Sequence, residues 1–267
     1  MEKKKKETAT VYSQKETANG IFDMWIETEL ARSAHPGQFI SIYPKNEATL
    51  LPRPISICEV DEKKERLRVV YRIAGTGTKE FSGYEAGDRI SILGILGNGF
   101  PLEAAEGRKV FLIGGGIGIP PMVQLAKELA HANQKAGRDN SNIQIILGYR
   151  NELFLQEDLK QYGQVYIATE DGSMGSRGTV MNAIEDNCLK AEVIFSCGPM
   201  PMLRAIKEYA AKNGMTAYLS LEERMACGVG ACLGCVCKTK EVDHHSFVHN
   251  ARVCTDGPVY LAEEVDI

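Results

Sequence analysis

Four cysteines set the terms on which this chain can fold. Cys227, Cys232 and Cys235 are spaced C-x4-C-x2-C, and Cys254 follows after eighteen further residues. This is the plant-type ligand spacing of a [2Fe–2S] cluster. Two bridged ferric ions need four soft, negatively charged thiolates, and the three close cysteines must wrap one side of the cluster. Gly228, Gly230 and Gly234 suit such a wrap, because glycine accepts unusual dihedrals and lets backbone N–H groups approach sulfur. A structural zinc site is the plain alternative. Zinc knuckles offer C-x2-C pairs on both sides, whereas only Cys232/Cys235 and Cys235/Cys237 lie so close here. A Rieske centre would need two histidines within the motif, and none is there. The candidate metal ligands are therefore Cys227, Cys232, Cys235 and Cys254. Cys237 reads as a spectator, and His244, His245 and His249 as members of a solvated polar loop.

With 267 residues, the chain has room for two domains and a small appendage. Half of its eight cysteines fall in one metal-type group, so a disulfide framework is not indicated. The net charge of −4 gives no electrostatic reason for nucleic acid or a membrane surface as partner. No apolar run reaches the length of a membrane span and the polar N-terminus has no signal-peptide core, so a cytoplasmic location is expected. The basic run Lys3, Lys4, Lys5 and Lys6 reads as a solvated, poorly ordered tip.

Residues 22–27, 39–43, 55–60, 67–73 and 90–93 carry β-branched and aromatic side chains between turn signals, which predicts a small antiparallel barrel. Trp25 is expected in its core or cover. Arg53, Pro54, Ile55 and Ser56 put a guanidinium and a hydroxyl beside a strand. The run GTGTK at 75–79 reads as a glycine–threonine loop, either a hairpin turn or a phosphate cradle.

From about residue 104 the pattern changes to alternating strands and helices, which predicts a doubly wound parallel sheet. A buried-type strand at 110–113 runs into GGGIGIPP at 114–121, and Met122, Leu125, Ala126 and Leu129 mark one face of the helix that follows. Strand, glycine turn and helix together point to a dinucleotide site, with the helix N-terminus available to a pyrophosphate, although the run is not G-x-G-x-x-G and an ordinary tight βα turn is the plain alternative. A second such turn, CGPMPM at 197–202, ends the strand at 193–195. Cys197 there is either a small buried residue or one facing a nicotinamide. Cys58 and Cys188 are taken as packing residues.

These motifs in combination resemble the ferredoxin–NADP reductase family. RPIS at 53–56, GGGIGIPP at 114–121, LEERMACGVGAC at 221–232 and VCTDGPV at 253–259 are similar within it to the electron-transfer subunits of dihydroorotate dehydrogenase B. The resemblance implies a barrel for FAD at 1–103, an NAD domain at 104–220 and a [2Fe–2S] domain at 221–267. It implies that Arg53 contacts the flavin pyrophosphate, with Pro54 and Ile55 beside it and Ser56 near the isoalloxazine. Tyr71, Arg72 and Ile73 would meet the flavin or its ribityl chain, and Gly77 and Thr78 its phosphates. NAD would dock across Gly114, Gly115, Gly116, Gly118 and Pro120 and across Cys197, Gly198, Pro199 and Met200. The implied activity is electron transfer from the FMN of a dihydroorotate-oxidising partner, through cluster and FAD, to NAD in pyrimidine biosynthesis, in a heterotetramer. No catalytic proton-transfer residue is nominated. The alternative is a diaphorase subunit serving a hydrogenase, a sulfur reductase or a bifurcating ferredoxin reductase. Two positions depart from the family pattern: Ile95 stands where proline is expected after Gly94, and the gap before Cys254 is long.

Overall fold

The structure, a computed structural model, describes residues 4–243 and 247–267. Its first six strands are β1 (Lys5–Ala18), β2 (Ile21–Glu27), β3 (Phe39–Tyr43), β4 (Arg53–Val60), β5 (Arg66–Arg72) and β6 (Arg89–Leu96), with a short helix α1 (Thr76–Phe81) between the last two. They close into an antiparallel barrel in the order β1-β2-β5-β4-β3-β6. Alternation along each strand sends one set of side chains inward, among them Val11, Met24, Ile40, Ile57, Val69 and Ile92, to fill the barrel.

The second sheet uses β7 (Val110–Gly115), β8 (Ile143–Tyr149), β9 (Gln164–Thr169), β10 (Ser176–Arg177), β11 (Val193–Cys197) and β12 (Thr216–Ser220). The helices are α2 (Pro120–Lys135), α3 (Gln156–Lys160), α4 (Val180–Asp186) and α5 (Met200–Asn213). Strand order is β10-β9-β8-β7-β11-β12, all parallel. Apolar residues of α2 and α3 form the core on one face, and those of α4 and α5 the core on the other. The order reverses between β7 and β11, so their carboxyl ends flank the crevice where such sheets take ligands.

Three further strands belong to the tail: β13 (Val236–Lys238), β14 (Asn250–Arg252) and β15 (Val259–Leu261). β13 and β14 form a hairpin, and β15 adds to the second sheet antiparallel to β12. The tail thus packs on both larger units. Phe39, Leu93 and Leu96 of the barrel share one buried cluster with Met225, Cys235 and Cys254. Asn98 staples the end of the barrel to the tail, since its amide spans the N–H and carbonyl of Val259 at 3.1 and 2.7 Å.

Several sequence expectations change here. Of the basic run, Lys3 lies outside the described residues, whereas Lys5 and Lys6 are not a loose tip: they begin β1, paired with Gly94 and Leu93, and the Lys6 ammonium lies over the Tyr43 ring at 4.0 Å. The GTGTK run is not an open loop but the start of α1. Thr78 Oγ1 accepts the amides of Ala74 at 2.8 Å and Gly75 at 3.2 Å, which holds a segment of poor helix formers in helical form. Cys188 is exposed in the left-handed region (φ 50°), so it is a turn residue rather than a packing one, whereas Cys58 is fully buried. Trp25 is half-buried on the barrel wall near Arg68. The Gly94–Ile95 peptide is cis. The long gap before Cys254 carries the β13–β14 hairpin, and His244 and His245 lie outside the described residues. His249 Nδ1 sits 2.8 Å from the Lys240 carbonyl oxygen.

Candidate functional site

A cavity of about 630 Å³ opens between the barrel, the second sheet and the tail. Arg53, Pro54, Ile55 and Ser56 of β4 form one side, and Arg72, Ala74 and Thr78 another. Strand alternation turns Val70 and Arg72 outward and buries the Tyr71 ring in the barrel, where its hydroxyl donates to Gln14 Oε1 at 2.8 Å. Tyr71 therefore borders the cavity without offering it a phenol. Ile73 and Gly77 do not line it. Gly77 is instead where α1 meets Arg53, since a Cβ there would stand 2.8 Å from Arg53 Nε. Arg53 is steadied by donating from Nη1 to the Leu51 carbonyl at 2.5 Å. Two guanidiniums, a hydroxyl pair and apolar walls from Phe39, Ile55 and Val70 suit a ring system carrying a pyrophosphate.

A smaller cavity of about 260 Å³ lies across Arg72, lined also by Gly116, Tyr149, Arg150 and Glu152. Arg72 is thus a wall shared by both cavities. Behind it the two glycine turns interlock, because β7 and β11 are neighbours with Gly114 opposite Cys197. A Cβ on Gly118 would stand 2.4 Å from the Cys197 carbonyl oxygen, and one on Gly198 3.1 Å from the Gly115 amide nitrogen. Gly116 has φ +52°, so the chain can turn there only at low cost as glycine. Pro120 and Pro121 occupy the first turn of α2, where a missing N–H costs nothing. Pro199 precedes α5 and Met200 opens it. Cys197 itself is buried; burial pushes its thiol well up, and it lies against Ser220 rather than in either cavity.

Residues 220–225 complete the large cavity, with Ser220, Leu221, Glu222, Glu223, Arg224 and Met225 all on its wall. Their residue types alone do not mark them as site residues. The available signal was position: a charged triplet following a strand end and preceding the first cysteine. Glu222 is an exposed residue of the cavity wall. The protein around its carboxyl keeps off part of the water and raises it above the ordinary glutamate range, with Arg72 pulling in the opposite direction.

Two residues after Met225 the cysteine loop begins. Cys227 Sγ accepts the amides of Val229 and Cys232, each at 3.4 Å. Partial burial would raise this thiol, but those amides, the Cys232 thiol and the Ala231 amide hold it down at about 6. Cys235 and Cys254 face each other in the interior, and burial, with the neighbouring Cys235 thiol, pushes Cys254 up to about 12. Gly228 and Gly230 take φ of +67° and +83°, and a Cβ on Gly230 would stand 2.9 Å from Thr255. The Val253 amide donates to the Cys235 carbonyl at 2.9 Å, and a two-bonded Arg252–Asp256 pair fixes the turn that presents Cys254. Cys227 has the Cys232 thiol beside it and Cys254 has the Cys235 thiol, and two such pairs are what two bridged irons need. The donor set fits a [2Fe–2S] cluster. Cys237 is buried in the hairpin behind them.

The profile of the iron-sulfur cluster binding domain of dihydroorotate dehydrogenase B matches residues 222–266, and that of the oxidoreductase NAD-binding domain residues 112–208. The dihydroorotate dehydrogenase B (NAD(+)) electron transfer subunit of Bacillus velezensis is 42% identical, across 98% of this chain and 99% of its own. The chain belongs to this family of electron-transfer subunits. The Listeria monocytogenes member is 40% identical, across 96% and 97% of the two chains. Among solved structures, an NADH-dependent reduced ferredoxin–NADP oxidoreductase superposes with TM-score 0.81 at 25% identity, covering 97% of this chain and 89% of that one. A Neisseria gonorrhoeae ferredoxin–NADP reductase shares the fold at TM-score 0.65 and 18% identity, covering 78% and 92%. Membership of the dihydroorotate dehydrogenase B family makes the chain one component of an oxidoreductase, since its relatives are named as subunits.

Proposed function

We propose that this chain carries electrons from an FMN-bearing, dihydroorotate-oxidising subunit through a [2Fe–2S] cluster and FAD to NAD+, within pyrimidine (UMP) biosynthesis in the cytoplasm. The observation that carries this reading is the continuity of residues 220–225 with the cysteine loop. The segment that walls the large cavity runs within two residues into Cys227, so a flavin and a cluster would sit side by side. When bound, FAD supplies the exchange between the electron pair of a hydride and the single electrons of a cluster.

The chain's own residues have the task of placement. Arg53 and Arg72 offer cations to the flavin pyrophosphate, Thr78 and Ser56 offer hydroxyls, and Phe39, Ile55 and Val70 exclude water from the ring. The turns at 114–121 and 197–202 receive the dinucleotide, and Arg72 marks the boundary at which the two ligands meet. Cys227, Cys232, Cys235 and Cys254 hold the cluster, and the exposed rim of that loop, Val229, Cys232 and Leu233, is the docking face for the catalytic subunit. Units 1–103, 104–220 and 221–267 carry the three sites, and two copies of each subunit assemble as a heterotetramer. Among the described residues no helix is long and apolar enough to cross a membrane.

Cys232→Ser tests the assignment. It should abolish the cluster and electron transfer from the partner while NADH still reduces FAD; undiminished activity with the partner would refute it. Arg53→Ala should weaken FAD retention, measured as flavin per chain after gel filtration. Unchanged occupancy would count against the cavity. Likeness to the ferredoxin–NADP oxidoreductase favours one second reading, a diaphorase subunit of another complex. A co-purifying redox enzyme other than a dihydroorotate dehydrogenase would identify it.

A further inference from the structure

Ser41 lies in the middle of β3, and its hydroxyl is fully buried with no hydrogen-bond partner. A buried hydroxyl left unpaired is costly, so such a group calls for an acceptor that arrives with a ligand. Its neighbours say which ligand. In the barrel Ser41 is paired with Pro54, which borders the large cavity, on one side and with Leu93 on the other. Phe39, two residues earlier on the same face, also borders the cavity. On the outer side Gly228 packs against this wall: a Cβ there would stand 3.2 Å from Leu96 Cδ1, 3.5 Å from Ser41 Oγ and 3.8 Å from Leu93 Cδ2. Gly228 directly follows the first cluster cysteine. The hydroxyl therefore sits in an apolar seam between the flavin cavity and the Cys227 end of the cysteine loop, with the residue next to Cys227 the nearest part of the tail to it among these contacts.

Resting on the cluster reading above, we propose that Ser41 donates a hydrogen bond to the sulfur shell of the bound cluster on its Cys227 side, as a positioning and potential-setting residue. Cluster sulfurs accept hydrogen bonds, and each donor favours the reduced, more negative state and so raises the reduction potential. A donor in this seam favours electron arrival at the cluster from the partner. It also holds the loop against the barrel wall that the flavin shares.

The test is an EPR-monitored redox titration of the purified holoprotein, with Ser41→Ala and Ser41→Thr beside the wild type and the flavin couple as internal reference. Ser41→Ala should move the cluster to a more negative potential by about a tenfold change in equilibrium, about 59 mV for one electron. The flavin potential should stay in place, one exchangeable-proton coupling should vanish from the pulsed EPR of the reduced cluster, and Ser41→Thr should restore both. An Ala variant with wild-type potential and couplings overturns the proposal. If the Ala variant assembles no cluster, assembly at wild-type potential in the Thr variant supports the hydroxyl's role. Failure of both variants marks Ser41 as a packing residue and overturns it. A wild-type protein that takes up no cluster brings down the underlying cluster reading instead, a result distinct from all of these.

Discussion

At the scale of single residues, the crevice between the two glycine turns depends on what is missing. Gly118 lets the first turn lie against the Cys197 carbonyl, and no side-chain rotation can relieve a Cβ placed 2.4 Å from a backbone oxygen. Gly118→Ala should therefore destabilise the protein by about 1–3 kcal/mol, the usual cost of overpacking. Thermal unfolding should show this together with weaker NADH binding; an unchanged melting temperature would mean that the turns are free to separate. Glu222 makes a prediction of the opposite sign. Its carboxyl is raised by the protein around it, so the folded protein holds that proton more readily than the unfolded chain does. The charged form thus costs stability as pH rises above the ordinary glutamate value of about 4.3, and the penalty disappears well below it. In flavin-free protein Glu222→Gln should raise the melting temperature at about pH 8, with the gain shrinking as pH falls towards 4. An equal gain at both pH values would contradict this. Nothing in the sequence around Glu222 announces this environment, because the cavity wall is assembled from chain segments far apart.

At the scale of elements, the barrel and second sheet are joined by a buried ionic group rather than by apolar packing alone. Arg68 of β5 donates from Nε and Nη2 to Asp23 of β2 at 3.0 and 2.8 Å, and from Nη1 to Glu59 of β4 and to Asp158 of α3. Lys127 of α2 reaches Glu59 at 3.1 Å and the Val60 carbonyl at 2.9 Å. With Asp23 only 3% exposed, Arg68→Met would leave a buried carboxylate unpaired. Loss of about 3–5 kcal/mol in urea unfolding is expected, whereas a loss below about 1 kcal/mol would place the network among surface pairs. The element-level pattern was unevenly legible. The strands at 22–27 and 39–43 were readable because their β-branched and aromatic residues alternate with turn signals. β1 was missed: over fourteen residues it buries only Ala9 and Val11, so its pairing with β2 and β6 defines it more than its own pattern does. α1 looks like a loop in sequence because glycine and threonine disfavour helix, and the two amide bonds to Thr78 override that preference.

At the scale of the whole molecule, the readable part was the chemistry that tolerates few residue types. Thiolate spacing and glycine turns pointed to their ligands because metal coordination and close backbone approach admit little else. The cavity's third wall at 220–225, the shared position of Arg72 and the unpaired Ser41 emerge only when three chain segments meet. Their meeting puts the large cavity beside the smaller one across Arg72 and beside the cysteine loop through residues 220–225, a layout that suits the proposed passage of electrons between a partner and NAD+. The most direct test is NADH formation from dihydroorotate and NAD+ under anaerobic conditions, by the complex this chain forms in its native cell. Wild-type complex should reduce NAD+ with dihydroorotate as sole donor, and complex carrying Cys232→Ser should not, although its FAD is still reduced by NADH. Equal NADH formation by both complexes, or none by the wild type, would contradict the proposed route.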